Sequence, residues 1–177
     1  CSLVGSEMCI RDRYAKKISS FFDLKDTLAY LCDERRIMAY EYKGFARCID
    51  SYESYYKVSM EFLDMDISTQ VFKSTWPIFT NTNDTPPTKY LKNAQVKKSF
   101  VANGVIVDGD VEGSILSRNV VIGKNAVVKN CIILNGSHVS AGAHLENVII
   151  DKDARIEKKK ELVSVGEPLY VKEGDVV

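Results

Sequence analysis

The second half of the chain alternates small or apolar residues with aliphatic ones in a short, regular period. No proline occurs between residues 88 and 167, and the period step is five or six residues almost throughout. The pairs are Ala94/Val96, Ser99/Val101, Val105/Val107, Ser114/Leu116, Val120/Ile122, Ala126/Val128, Cys131/Ile133, Ser137/Val139, Ala143/Leu145, Val148/Ile150 and Ala154/Ile156. One longer gap, from Asp108 to Gly113, predicts an irregular rung.

This period predicts a parallel β-helix built from hexapeptide repeats. Side chains alternate between the two faces of a strand, so both members of a pair point to the same side. Short strands that stack coil upon coil then bury a continuous aliphatic interior. Residues tolerant of turn conformations follow the strands, which predicts corners at Gly123, Asn125, Gly136 and Gly142.

The first half predicts a mixed α/β segment. A helix is expected near 24–35 and a pair of strands over Ile37–Tyr42 and Phe45–Ile49. A second helix should run from its N-cap Ser51 to Leu63, with a face of tyrosines used for packing. The proline-containing stretch 64–87 is expected to be an extended connector. At the far end of the chain, Leu169 to Val177 is expected to add a final strand.

Three segments follow from these patterns. Residues 1–13 resemble translated sequencing-adapter read-through, and we expect them to be a non-native artefact that replaces the true N-terminus. Residues 14–87 are expected to be the remnant of a larger α/β domain together with a linker. Residues 88–177 are expected to form the β-helix domain.

Composition narrows the classes of function. Lysine plus arginine and aspartate plus glutamate are equal at 24 each, so the basic excess of a nucleic-acid binder is missing. No apolar run is long enough to cross a membrane. The five cysteines include no CxxC pair, which disfavours a disulfide framework or a zinc site and predicts a reducing cytoplasm.

Several motifs resemble one enzyme family in the same order. Tyr40 to Tyr56 (YEYKGFARCIDSYESYY) is similar to the end of a sugar-nucleotidyltransferase domain. Trp76 to Thr80 (WPIFT) and Pro86 to Tyr90 (PPTKY) are similar to the signatures that join that domain to a β-helix. Ser114 to Leu134 and Leu145 to Ile156 are similar to the hexapeptide part. Over roughly residues 18 to 177, the chain thus resembles the ADP-glucose pyrophosphorylase (glucose-1-phosphate adenylyltransferase) family of glycogen biosynthesis.

The resemblance implies a left-handed β-helix and a set of functional expectations. The family converts ATP and glucose 1-phosphate into ADP-glucose and pyrophosphate with Mg²⁺. It forms allosteric hetero- or homo-oligomers, expected here to be a tetramer with a homologous catalytic subunit, and sugar phosphates or phosphate bind as effectors near the domain junction. Because the family's glycine-rich phosphate loop and main catalytic residues would lie upstream, we expect this chain alone to be inactive and to need no cofactor.

One departure from the family motif concerns a metal ligand. Where active members carry a metal-binding aspartate, alignment of the flanking residues places Cys48. A neutral thiol is a poor ligand for Mg²⁺, which prefers oxygen. The pair Asp50–Ser51 that follows resembles the GlgD-type regulatory subunit, which implies weak catalysis or none. Asp50 could partly replace the missing carboxylate, or it could serve only to cap the following helix.

A single arginine is the candidate for effector binding. Active relatives carry an arginine near the position of Arg118, and a guanidinium suits anion binding. The alternative is an exposed corner arginine without a ligand. Lys89 and Lys124 are expected to be ordinary surface lysines.

Two other functions compete with this interpretation. A hexapeptide acyltransferase would use a histidine as general base, and His138 and His144 lie six residues apart at equivalent positions of successive strands. They precede the inward Val139 and Leu145 and are therefore expected to face outward. A γ-type carbonic anhydrase would need a third histidine. A non-catalytic scaffold subunit with the same two-domain plan is the remaining alternative.

Overall fold

A computed structural model describes residues 32, 36, 38, 40–75, 77–80, 83–157 and 161–177 of the 177-residue chain. The chain divides into two compact units, Cys1–Lys43 and Gly44–Val177. The described residues of the second unit form two helices, α1 (Tyr52–Glu61) and α2 (Met65–Val71), followed by fifteen short strands. Within the described residues, no helix is both long and apolar enough to cross a membrane.

The strands form three parallel sheets, which make the three faces of a β-solenoid. Sheet A contains β1 (Lys89–Tyr90), β4 (Ile106–Val107), β7 (Val121–Ile122), β10 (His138–Val139) and β13 (Arg155–Ile156). Sheet B contains β2 (Gln95–Lys97), β5 (Asp110–Glu112), β8 (Val127–Lys129), β11 (His144–Glu146) and β14 (Glu161–Val163). Sheet C contains β3 (Phe100–Val101), β6 (Ile115–Leu116), β9 (Ile132–Ile133), β12 (Val148–Ile150) and β15 (Leu169–Val171).

The predicted inward pairs form the interior of this solenoid. From Val105/Val107 to Ala154/Ile156, both members of every predicted pair are buried. Paired residues of neighbouring coils lie 15 or 17 positions apart through most of the solenoid, as for Ser99 to Ser114 and Ser114 to Cys131. The offset grows to 21 where β15 pairs with β12 in the last coil. Each coil therefore uses three strands and three corners, and the hexapeptide β-helix predicted from the sequence is confirmed.

The irregular rung predicted between Asp108 and Gly113 is strand β5, and its inward pair is Gly109/Val111. Both residues are buried, Val111 to 1% exposure, and the pair follows Val105/Val107 by four residues instead of five or six. Glycine takes the small inward position here for a steric reason. A Cβ atom on Gly109 would lie 2.3 Å from the backbone oxygen of Ala126 in the next coil.

Most corners contain a residue in the left-handed backbone region. Asn125, Gly136 and Gly142 have φ angles of 56°, 73° and 72°, as expected for predicted corners. Gly123 is different, because it is not among the residues with positive φ. Packing requires glycine here, since a Cβ atom at this position would lie 2.6 Å from the backbone nitrogen of Ala141.

Helix α1 begins where the sequence predicted. Ser51 is its N-cap, and the hydroxyl of Ser51 accepts a hydrogen bond from the backbone N–H of Ser54 while the Ser54 side chain accepts one from Ser51. The helix lies against the outward face of sheet C. Tyr52 stacks on Tyr170 of the last coil. Further along the helix, the Tyr56 hydroxyl donates to the carbonyl oxygen of Asn130 at 2.7 Å.

The outward face of sheet C is apolar at its centre, and other segments of the chain pack on it and shield it from water. Its central residues Ile132 and Ile149 are each 1% exposed, yet they lie outside the cluster of side chains that fills the solenoid interior. Their burial therefore comes from segments packed on the outside of the sheet. The tyrosine face of α1, predicted to serve in packing, supplies part of that cover.

Other elements of the first half differ from the sequence predictions. Phe45–Ile49 is not a strand, and neither are the described residues Met38 and Tyr40–Tyr42. The segment Phe45–Ile49 runs without a ladder partner beside α1, where the Phe45 ring packs on Phe62 at 5.3 Å. The expected connector 64–87 contains α2, whose N-cap Asp64 accepts the backbone N–H of Asp66. The helix predicted near 24–35 lies outside the described residues apart from Cys32.

At the end of the chain, the predicted last strand appears as β15 together with a single parallel bridge between Val176 and Arg155. The domain boundary predicted between residues 87 and 88 stays a prediction.

We predict that Leu145→Ala destabilises the protein by about 2–5 kcal/mol, because Leu145 is fully buried inside sheet B and truncation leaves a cavity. Val163→Ala is the matched control, since Val163 lies on the neighbouring strand β14 and is 44% exposed. Urea unfolding followed by circular dichroism measures both changes. Similar losses for the two variants would contradict the inward assignment of Leu145.

Candidate functional site

A cleft of about 460 Å³ lies between the start of α1 and the last coils of sheet C. Its lining combines an apolar floor, tyrosine walls and two carboxylates. The lining residues are Ile49, Asp50, Ser51, Tyr52, Tyr55, Leu134, Ile149, Asp151 and Tyr170. An apolar cleft with a few converging polar groups is the usual form of a ligand site.

The helix side of the cleft is fixed by the cap of α1. The backbone N–H groups of Asp50 and Ser51 both donate to the Ser54 hydroxyl, at 3.0 and 2.9 Å. Ser51, and not Asp50, is the N-cap. The backbone of Asp50 is therefore tied to the helix, while Asp50 also lines the cleft.

The solenoid side presents a carboxylate held in place by a tyrosine. The Tyr170 hydroxyl donates to Oδ2 of Asp151 at 2.5 Å, and the backbone N–H of Lys152 donates to Oδ1 at 2.8 Å. The hydrogen bond from Tyr170 is the main cause that lowers the pKa of Asp151, with smaller help from Lys152. The same bond raises the pKa of Tyr170 to about 12, so at neutral pH the phenol keeps its proton and Asp151 is ionised.

Two tyrosines from distant parts of the chain form one wall. The rings of Tyr52 and Tyr170 stack with centroids 4.5 Å apart and planes inclined by 20°. Tyr52 stays 61% exposed, so the wall is open to a ligand. The stack joins the first turn of α1 to the last strand of sheet C.

Cys48 lies outside this cleft. It is exposed and occupies the irregular segment that precedes α1. Arg47 anchors the segment, because its Nε lies 2.9 Å from Oε2 of Glu61 at the other end of the helix. Asp50 lines the cleft and Cys48 does not, so the strand geometry that would have placed them on one face is absent.

The described residues do not assemble a metal site. No group of three or more histidine, cysteine, aspartate or glutamate side chains among them is arranged to hold an ion. A thiol at Cys48 is also a poor partner for Mg²⁺. These residues therefore support no metal-dependent step.

Arg118 lies at the corner between β6 and β7, half-buried. Its backbone oxygen accepts the N–H of Gly136 one coil later, and the backbone oxygen of Lys152 plays the same part for Gly174. Arg118 and Lys152 thus stand on the same edge of the solenoid, two coils apart. No ion pair involving Arg118 occurs among the described residues.

The two histidines lie on different faces of the solenoid. His138 belongs to sheet A between Val121 and Arg155, and His144 belongs to sheet B between Val127 and Glu161. Both are half-buried on the outside of their strands. The structure therefore does not bring them together into one site.

The fold defines the class of the protein, a parallel β-helix of hexapeptide repeats. Residues 86–168 match a protein-family model described as GlmU-like, C-terminal hexapeptide. The match covers most of the fifteen strands.

Relatives that also match the segment before the solenoid identify the family. The chain is 45% identical to the glycogen biosynthesis protein GlgD of Bacillus subtilis over 78% of this chain and 40% of that protein. It is 51% identical to GlgD of Geobacillus stearothermophilus over 40% of this chain and 20% of that protein. It is 32% identical to the glucose-1-phosphate adenylyltransferase of Corynebacterium jeikeium over 64% of this chain and 29% of that protein.

The chain belongs to the family of GlgD and glucose-1-phosphate adenylyltransferase proteins, some of which are nucleotidyltransferases by name. It spans at most 40% of the length of these relatives.

Sequence reasoning found one carboxylate of the cleft and missed the other. Asp50 was singled out by its place in the motif, whereas Asp151 and Tyr170 carried no local signal. Their pairing depends on β15 stacking on β12, where Tyr170 lies beside Ile149. The run VII at 148–150 with aliphatic residues on both faces was the available hint that sheet C is covered on its outer side.

We predict that Tyr170→Phe raises the pKa of Asp151, because the donor that stabilises the carboxylate is lost. A carboxyl whose folded pKa is lowered adds stability above its unfolded pKa, and this stability is lost as pH falls through the folded pKa. The variant should therefore be less stable at neutral pH and lose less stability on acidification.

NMR titration of the aspartate carboxyl carbons measures the pKa, and urea unfolding at several pH values measures the stability. Tyr55→Phe is the control, since the Tyr55 hydroxyl makes no hydrogen bond among the described residues. An unchanged Asp151 titration in Tyr170→Phe would refute the assignment.

Proposed function

We propose that this chain is the C-terminal part of a glucose-1-phosphate adenylyltransferase-type subunit of glycogen biosynthesis, and that the subunit is regulatory or weakly catalytic. The observation that carries the proposal is the position of Cys48 in a segment fixed against α1. In the family motif this position holds a metal-binding carboxylate, and here it offers an exposed thiol. The similarity to two GlgD proteins supports the same conclusion.

The β-helix is proposed to serve assembly and regulation. Helix α1 runs from the last coil, at Tyr170, to the corner at Asn130. Helix α1 thus connects two coils of the solenoid to the Cys48 segment that precedes it. This geometry favours transmission of an effector signal over catalysis by the solenoid itself.

The proposal also includes the binding partners of the subunit and its cellular compartment. The subunit is proposed to work in the cytoplasm in a hetero- or homo-oligomer, a tetramer with a homologous catalytic subunit. Sugar phosphates or phosphate are the proposed effectors, with Arg118 among their ligands. Mg²⁺ is proposed for the catalytic partner, because the described residues of this chain do not fit it.

In the whole subunit, we expect Cys48→Asp to raise ADP-glucose synthesis without a catalytic partner by about tenfold or more, equivalent to about 1.4 kcal/mol of barrier. A carboxylate restores an oxygen ligand at the motif position. Cys48→Ser is the matched control, because it removes the thiol without adding a charge. Full activity of the unmodified subunit alone would overturn the weakly catalytic assignment.

In the assembled enzyme, we expect Arg118→Ala to raise the concentration of sugar-phosphate activator needed for half-maximal response by about fivefold or more, the scale of one lost charge-assisted hydrogen bond. Activity without effector should be unchanged. Lys124→Ala is the control, since Lys124 is an exposed corner lysine elsewhere on the solenoid. An activation curve for Arg118→Ala that superimposes on the control removes Arg118 from the effector site.

A further inference from the structure

We propose that the cleft between α1 and sheet C binds a guanidinium group. The cleft combines the features that such a cation requires: two carboxylates, an open tyrosine wall and an apolar floor. This inference does not rest on the proposed function, because it is argued from the lining of the cleft alone.

The charge of the cleft favours a cation. Asp50 and Asp151 both line it, and none of the other lining residues is basic. Neither carboxylate forms an ion pair among the described residues. Lys152 follows Asp151 but does not line the cleft, and Glu173 near Tyr170 adds a further negative charge. An anion, such as a sugar phosphate, is therefore disfavoured here.

The shape of the cleft favours a planar cation with an apolar stem. A guanidinium group stacks on tyrosine rings and donates in parallel pairs to carboxylates. The exposed ring of Tyr52 offers the stacking surface. Leu134 and the fully buried Ile149 make a floor against which the methylene groups of an arginine can lie.

The carboxylate of Asp151 is held ready for such a ligand. Its backbone oxygen accepts the Ser137 hydroxyl at 2.6 Å and its backbone N–H donates to Val171, which fixes the residue within the coil. Tyr170 occupies one lone-pair region of Oδ2 and Lys152 one of Oδ1. An ionised carboxylate has about four acceptor positions, so two remain for a ligand.

The volume of about 460 Å³ is in the range of ligand pockets and exceeds that of one arginine side chain. Two sources can present this group: a free arginine-like molecule or an arginine side chain of another polypeptide. The shared chemistry is the guanidinium, and the experiment distinguishes the sources.

The test titrates the 177-residue chain with L-argininamide and follows backbone and tyrosine NMR shifts. We expect saturable binding with a Kd of about 1 mM, with shifts confined to residues of the cleft. Asp151→Asn and Asp50→Asn should each weaken binding at least about fivefold, the scale of one lost charge-assisted hydrogen bond. Asp110→Asn is the control, because it removes an exposed carboxylate on sheet B. Acetamide, which lacks the cation, should not bind.

The same variants separate the two sources. If L-argininamide also dissociates a complex with a catalytic subunit, and Asp151→Asn weakens that complex, the source is an arginine of a partner chain. If the complex is unaffected, a free ligand is the source.

Absence of saturable binding, or equal binding by the Asp50, Asp151 and Asp110 variants with native folding by circular dichroism, overturns the proposal. Either result leaves the proposed function standing, because that function is tested by activity.

Discussion

A strand in a solenoid has one face inside and one outside, and sheet C is apolar on both. The inner face belongs to the continuous aliphatic core, but Ile132 and Ile149 point outward and are still almost fully buried. Burial of such side chains is worth about 1.5–3 kcal/mol each. The packing of segments such as α1 on this outer face therefore decides how the first part of unit Gly44–Val177 is held to the solenoid.

The cleft is a consequence of that packing. Helix α1 begins at its N-cap Ser51, and the ring of Tyr52 in its first turn stacks on Tyr170 of the last coil. The cleft lies beside this start of the helix. The outer residue of the last coil is Tyr170, whose hydroxyl finds its partner in Asp151 while its ring meets Tyr52. A polar, anionic opening thus results at the edge of an otherwise apolar contact.

The solenoid was predictable because its signal is local and repeated. An inward side chain recurs at every second position of a strand, so pairs such as Val120/Ile122 can be recognised from the sequence. A rung was expected between Asp108 and Gly113, but its pair Gly109/Val111 was not identified, because a glycine at the small position leaves no hydrophobic signal in the sequence. The strand predicted at Phe45–Ile49 failed for the opposite reason: its composition is strand-like, but no described strand pairs with it. Contacts between distant residues, such as Tyr170 with Asp151, depend on how many residues each coil contains. No local sequence pattern reveals such a pair.

Charge divides this part of the molecule into two chemically distinct regions. Arg118 and Lys152 occupy one edge of the solenoid at equivalent corner positions, and Asp50 and Asp151 line the cleft. The two carboxylates of the cleft favour a cation there and disfavour an anion. Because α1 begins at the cleft and is preceded directly by the Cys48 segment, occupancy of the cleft would act on the motif position more directly than occupancy of the edge. The family motif and the cleft are joined by the two residues between Cys48 and Ser51, so a ligand at Asp50 and a substitution at Cys48 act on the same short stretch of backbone.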